Sequence, residues 1–160
     1  PLLPLAAEPD PAIGTALPLI EGQTFDGDPI SLGGPTDGPT LLVFLAHWCP
    51  HCNDEIPELI ELRNRDGLPD GMSVAAVSTA VDNSAPNYPP SEWIVDKEWP
   101  SEWPVMADSV EAEAFVVNGG SGFPYLMIAD ADGNVLARDS GTKSAEDLAV
   151  WIQTALADNA

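Results

Sequence analysis

The chain has 160 residues, is 44% apolar and carries only two cysteines, which is long enough for one domain with a sizeable core. Its 26 acidic and 5 basic residues give a net charge of −21, and such a surface repels phosphate backbones and anionic lipid, which argues against nucleic-acid and membrane-surface binding. No apolar run approaches the roughly 18 residues needed to span a bilayer.

Five prolines, at positions 1, 4, 9, 11 and 18, punctuate the first 18 residues among alanines and acids. This composition reads as an extended linker over residues 1–18, leaving residues 19–160 as the domain. A chain that opens on such a linker is expected to follow a segment removed upstream, a signal peptide or a membrane anchor. Residues 23–32 read as a short hairpin turning at Asp26-Gly27, with Phe25, Ile30 and Leu32 on its apolar side. Residues 41–46 form a continuous apolar run, the pattern of a strand buried on both faces. Residues 50 to about 64 are helical, with Ile56, Leu59 and Ile60 on one face and Pro57 expected to kink the helix. Residues 72–78 read as the next strand, which completes a βαβ unit.

The stretch 83–104 holds five prolines and three tryptophans. It reads as a loop with one short helix around 91–98, either packed on the domain by its aromatics or facing substrate as a lid; the aromatics favour packing. A short strand at 105–107 and a helix over 109–117 follow, then the flexible turn 119–122. Strands at 125–129 and 134–138 flank the hairpin turn 130–133. The last helix starts near Ser144, with Asp147 as a capping partner and an apolar stripe of Leu148, Trp151, Ile152, Ala155 and Leu156.

Chemistry concentrates at Trp48-Cys49-Pro50-His51-Cys52, which directly follows the buried strand. A strand running into C-x-x-C and then a helix is the layout of a thioredoxin-type redox centre. Cys49, in the first helical turn, is the expected nucleophile, because backbone N–H groups and the helix dipole favour a thiolate there. Cys52 lies on the same face and is placed to attack the resulting mixed disulfide. A partly protonated His51 would stabilise the Cys49 thiolate and make the disulfide more oxidising; the alternative is a solvated helix residue. Glu55 shares the face of Cys52, where a proton acceptor is useful; the alternative is a solvated glutamate. Trp48 either offers apolar surface to a substrate chain or only packs. His47 reads as a polar residue at the strand end.

From residue 14 to its end the chain resembles the extracytoplasmic thioredoxin-like proteins of the TlpA/ResA type. The marks are the early hairpin, the Trp48–Cys52 motif, Glu55-Ile56-Pro57, Gly122-Phe123-Pro124 before a strand, the Asp132-Gly133 turn and the C-terminal helix. The Pro50-His51 dipeptide instead matches DsbA-type oxidases. The resemblance implies an α/β, thioredoxin-like fold: a central mixed β-sheet flanked by helices, with an N-terminal β-hairpin extension. It implies that Cys49 is exposed and Cys52 shielded, that the Phe123–Pro124 bond is cis and faces the disulfide, and that Glu55 tunes proton transfer. It places Phe123 against the attacking cysteine and bound peptide. Classical thioredoxins carry a buried acid on the first core strand, where this chain has Val43.

The expected function is thiol–disulfide exchange with exported proteins through Cys49 and Cys52. His51, Glu55 and Pro124 support catalysis, and Trp48 and Phe123 bind substrate. The resemblance further implies a monomer outside the cytoplasmic membrane, served by an upstream redox partner, with no metal and no cofactor beyond the dithiol. The direction of electron flow stays open. A thiol peroxidase resembling peroxiredoxins would need Thr or Ser where Ala46 stands. Two other readings remain: a copper- or zinc-binding module on Cys49, His51 and Cys52, and a thioredoxin-like interaction domain without catalysis.

Overall fold

The computed structural model describes residues 1–6 and 8–158. Ala7, in the expected linker, and Asn159 and Ala160, at the end of the expected domain, lie outside the described residues. Seven strands form one mixed sheet in the order β2-β1-β5-β4-β3-β6-β7. The hairpin β1 (Ile20–Gln23) and β2 (Pro29–Leu32) forms one edge, turning through Asp26-Gly27 with Gly27 at φ 87°, a conformation glycine adopts without steric cost. β3 (Thr40–Leu45) lies inside the sheet, parallel to β4 (Ser73–Ser78) and antiparallel to β6 (Tyr125–Ala129). β5 (Val105–Ala107) continues the parallel part, and β7 (Val135–Ser140) closes the other edge. This is the mixed sheet with a hairpin extension that the sequence leads one to expect.

The side-chain period of two divides β3 between two cores. Leu41, Val43 and Leu45 face a cluster with α1 (Pro50–Asn64), α2 (Pro90–Asp96) and α4 (Ala145–Asp158). Leu42 and Phe44 face the opposite cluster, with Met106, Tyr125, Met127 and Ala114 of α3 (Glu113–Val117). α1 runs on through Pro57, where an interruption is expected. Its Ile56, Leu59 and Leu62 are fully buried, which ties the helix to the sheet.

Two elements differ from the sequence reading. The described residues before β1 pack against the second face, where composition leads one to expect an extended linker. Ala12 and Leu17 are buried, and Leu2 and Leu5 pack on the same cluster. The Gly14 and Leu17 N–H groups donate to the Val135 and Gly133 carbonyls, and the Val135 N–H donates to the Thr15 carbonyl. The cause is Arg138, a strand cation aimed into this face, whose guanidinium meets the Asp10 carboxylate at 2.6 Å with side chains 0% and 5% exposed. Arg138 in turn holds the Asp10 carboxyl below the usual carboxylate range.

α3 starts at Glu113 rather than at residue 109. The Asp108 carboxylate accepts the N–H groups of Ser109, Ala114 and Phe115 and the Thr79 hydroxyl. The chain therefore makes a turn around this carboxylate before the helix begins, passing through Ala112 at φ 56°. Asp108→Ala orphans those donors and is expected to destabilise the protein by about 1–2 kcal/mol, with Asp108→Asn losing less, as read from urea unfolding midpoints.

Candidate active site

The site is built where β3 ends. The Cys49 N–H donates to the Ala46 carbonyl at 3.1 Å, closing a turn through His47 and Trp48. Cys49 is the N-cap of α1, at φ −79° and ψ 120°, and Pro50 begins the helix, where its missing N–H costs nothing. The Cys49 Sγ accepts the Cys52 N–H at 3.4 Å, so the sulfur occupies the position of a capping oxygen. The Cys52 Sγ accepts the Ala46 N–H at 3.5 Å. Both cysteines are free thiols. Cys52 is sealed, as expected, but Cys49 is only 5% exposed, less open than the resemblance implies. Trp48 and Phe123 pack against the cluster that contains it.

The two thiols differ physically. Burial pushes the Cys52 thiol up, the Ala46 N–H opposes this, and the nearby Cys49 and Glu55 charges add to it. Glu55 follows three residues later and is fully buried. Both of its oxygens accept the Lys143 N–H, at 3.1 and 3.2 Å. Desolvation pushes its carboxyl up to about 8, helped by the Glu58 charge and opposed by the Lys143 N–H. Glu55 is thus a carboxyl in the core below Cys52, not a solvated one.

His51 is exposed. Its carbonyl accepts the Thr142 hydroxyl at 3.4 Å, and its ring makes no hydrogen bond to Cys49. Trp48 donates its indole N–H to the Ala80 carbonyl at 2.8 Å and meets the Phe123 ring edge to face at 5.6 Å. Phe123 stacks on Phe115 at 4.7 Å. The Phe123–Pro124 peptide bond is cis. Tyr125, the first residue of β6, pairs with Phe44 near the end of β3, and Phe123 and Pro124 directly precede it in the chain. The sheet thereby delivers Phe123 and Pro124 to the strand end that carries the cysteines.

Two contributors are invisible in the sequence reading. His47 is fully buried. Its Nδ1 lies 2.7 Å from the Pro86 carbonyl and its Nε2 accepts the Asp82 N–H at 3.1 Å, so the ring serves as donor on one side and acceptor on the other. Asn53 donates to the His47 and Cys49 carbonyls and accepts the Trp93 indole N–H. Asn87 adds a bond to the His47 carbonyl. The tryptophan-rich stretch therefore packs, with Trp93 and Trp103 buried, and it also clamps the backbone of the cysteine motif. The available signal was the run of amide and imidazole groups around the motif, without hydrophobic periodicity to explain them. Among the described residues no group of three or more His, Cys, Asp or Glu side chains is placed to hold a metal.

The AhpC/TSA family profile matches residues 13–145, and the chain belongs to that family. No curated protein sequence matches it. Among solved structures, it is 28% identical to a thiol:disulfide interchange protein of the thioredoxin family from Chlorobium tepidum TLS, covering 95% of this chain and 99% of that one with a TM-score of 0.64. StoA from Bacillus subtilis shares 23% identity over 89% of this chain and 99% of its own, with a TM-score of 0.66. A secreted Mycobacterium tuberculosis disulfide oxidoreductase, described as homologous to Escherichia coli DsbE, shares 18% over 84% and 95%, with a TM-score of 0.65. The last two establish the thioredoxin-like fold alone. The family match and the 28% identical interchange protein support one enzyme class, thiol–disulfide oxidoreductase.

The unequal thiols lead to a labelling prediction. In the reduced protein iodoacetamide should modify Cys49 at least about tenfold faster than Cys52, since burial both suppresses the Cys52 thiolate and blocks access to it. Peptide mass spectrometry of a short time course reads the ratio.

Proposed function

We propose, starting from membership of the AhpC/TSA family, that the chain is a TlpA/ResA-like enzyme that exchanges disulfides with exported proteins. The observation that carries this reading is the pair of free thiols at the end of β3, one capping α1 and one sealed behind it above the buried Glu55. The Cys49 thiolate attacks a sulfur of a client disulfide. A Cys49–client mixed disulfide forms and one client thiolate leaves. Cys52 then loses its proton and attacks the Cys49 Sγ, releasing the second client thiolate and closing the Cys49–Cys52 disulfide. Two electrons have passed to the client, and an upstream dithiol must restore them. Run in reverse, the same steps oxidise a client dithiol.

Residue roles follow from position. The α1 N-terminus and the Cys52 N–H favour charge on Cys49. His51, two residues on, adds positive charge when protonated. Cys52 is held protonated by burial, so its step needs a base, and Glu55 is the ionisable group on its helix face. The half-buried Trp48 and Phe123 form the wall against which a client chain lies, with Pro124 buried next to Phe123. Export is supported by the secreted Mycobacterium tuberculosis neighbour. No helix among the described residues is long and apolar enough to cross a membrane. A peroxidase reading lacks the hydroxyl at Ala46, whose N–H instead contacts the Cys52 sulfur.

Two experiments test the assignment. Cys52→Ser should accumulate a mixed disulfide with a client protein, seen on non-reducing gels, whereas Cys49→Ser forms none. Accumulation in neither variant sinks the reading.

Glu55 gives a pH signature. Folding raises its carboxyl from the ordinary 4.5 to about 8, so in this window the folded chain holds a proton that the unfolded chain has released. Stability therefore falls as pH rises through the window. Glu55→Gln, which keeps an acceptor for Lys143 and carries no charge, should be more stable than the parent at pH 8 by about 1 kcal/mol or more, roughly 2–4 °C in Tm, and equal to it near pH 4. The same variant should slow the Cys52 step and remove its inflection near pH 8 in stopped-flow decay of the mixed disulfide.

A further inference from the structure

The segment before β1 touches the part of the chain that leads into Phe123 and Pro124, and it does so through a chain of polar contacts. The Leu2 N–H donates to the Val117 carbonyl at 2.7 Å and the Leu5 N–H to the Gly119 carbonyl at 3.2 Å. The Ser121 hydroxyl donates to the Leu5 carbonyl at 3.2 Å. Arg138 Nη1 reaches the Leu3 carbonyl at 2.8 Å, the Tyr125 hydroxyl at 3.2 Å and the Asn118 carbonyl at 3.4 Å. The Tyr125 hydroxyl donates to the Asn118 carbonyl at 2.6 Å. Asp10 holds the other side of the guanidinium through Nε at 2.9 Å and Nη2 at 2.6 Å.

The approach is close enough to dictate a residue. Gly119 has φ 75°, and a Cβ there would lie 2.5 Å from both the Leu3 carbonyl oxygen and Arg138 Nη1. Only glycine satisfies both the backbone angle and the space. On the apolar side, Leu2, Leu5 and Phe115 pack on one cluster, and Phe115 is the ring on which Phe123 stacks. The segment thus holds residues 117–121 from one side, and Phe115 holds Phe123 from the other.

We infer that residues 2–6 and 8–10 are a positioning strap for the client-binding wall, with Asp10 and Arg138 as positioning residues for Phe123 and Pro124. This rests on the redox reading above. Neither residue touches a cysteine. A buried ion pair gives little net stability compared with an apolar pair of similar volume, but its fixed geometry ties two carbonyl groups and a phenol to one guanidinium. What it supplies is the placement of the loop, and a client that must lie along Phe123 and Pro124 reads that placement as affinity.

The test uses the full chain with two variants. Asp10→Asn combined with Arg138→Met removes both charges together, so no buried charge is left unpaired and the fold is retained. Ser121→Ala removes one surface bond. With a peptide disulfide as client, the strap account expects KM to rise about tenfold in the double variant and about twofold to threefold in Ser121→Ala. kcat and the iodoacetamide rate of Cys49 stay within about twofold of the parent. Amide hydrogen exchange of residues 119–123 speeds up in both variants while that of β3 is unchanged. An unchanged KM in both variants overturns the inference. So does a uniform shift of KM, Cys49 alkylation and β3 exchange, which would mark a merely structural role. If the double variant does not fold, Ser121→Ala decides by the same criteria. A parent protein that exchanges no disulfide fails the redox reading itself, a result recognisable before any variant is compared.

Discussion

Both sulfurs are held by one backbone corner, where β3 stops and α1 begins, and the rest of the site depends on that corner. The Ala46 N–H faces the Cys52 sulfur, and the Cys52 N–H faces the Cys49 sulfur. One amide at the strand end and one in the first turn of α1 thereby fix two polarisable atoms. The corner is rigid because β3 is bonded on both edges, to β4 and to β6, and because α1 sinks Ile56, Leu59 and Leu62 into the core. Movement at this junction would have to break either sheet pairing or core packing. The same corner makes the thiols unequal, since one sits at the cap near the surface and the other behind it in the interior.

Burial then sets a second constraint. A carboxyl in an apolar core is costly when charged, more so in a chain of net charge −21. Glu55 meets that cost with the Lys143 N–H, from the segment between β7 and α4, and with a raised proton affinity. The N-terminus of α4 is thereby placed beside α1, with the Ala145 N–H within 3.4 Å of Glu58. His47 and Asn53 answer a similar problem on the other side of the motif. His47 is buried and Asn53 half-buried, and each finds partners, in the Asp82–Asn87 loop and in Trp93. Clamping the motif and satisfying buried polar groups are here a single arrangement.

What the sequence showed and what it hid divide along physical lines. The strand before the cysteines, the hairpin around Asp26-Gly27 and the helix after Pro50 were legible because each is set by local period, turn chemistry or capping. The two cysteines were legible because their spacing has few other uses. The strap was not. Five prolines gave the first 18 residues the composition of a linker, whereas the contact that holds them joins Asp10 to a residue 128 positions away. Glu55 was legible as a candidate but not as a buried one, since its partner amide lies 88 residues on. The start of α3 was misplaced because the Asp108 carboxylate, not a helical pattern, decides it. His47 looked like the polar end of a strand, and only the folded Asp82–Asn87 loop reveals it as a core residue. The exposure of Cys49 was overestimated because Cys49 joins a core cluster assembled from β3, α1, α2, β6 and α4, which no local pattern reveals.

The most direct test of a working redox centre at this corner is the reduction potential of the Cys49–Cys52 pair, measured by equilibration in glutathione buffers. The account predicts one reversible two-electron couple between about −270 mV, the thioredoxin end of the range, and about −120 mV, the DsbA end. A value toward the upper end would make the protein an oxidase and one toward the lower end a reductase. A disulfide that resists reduction below about −300 mV, as structural bridges do, or a pair that never closes, would contradict it.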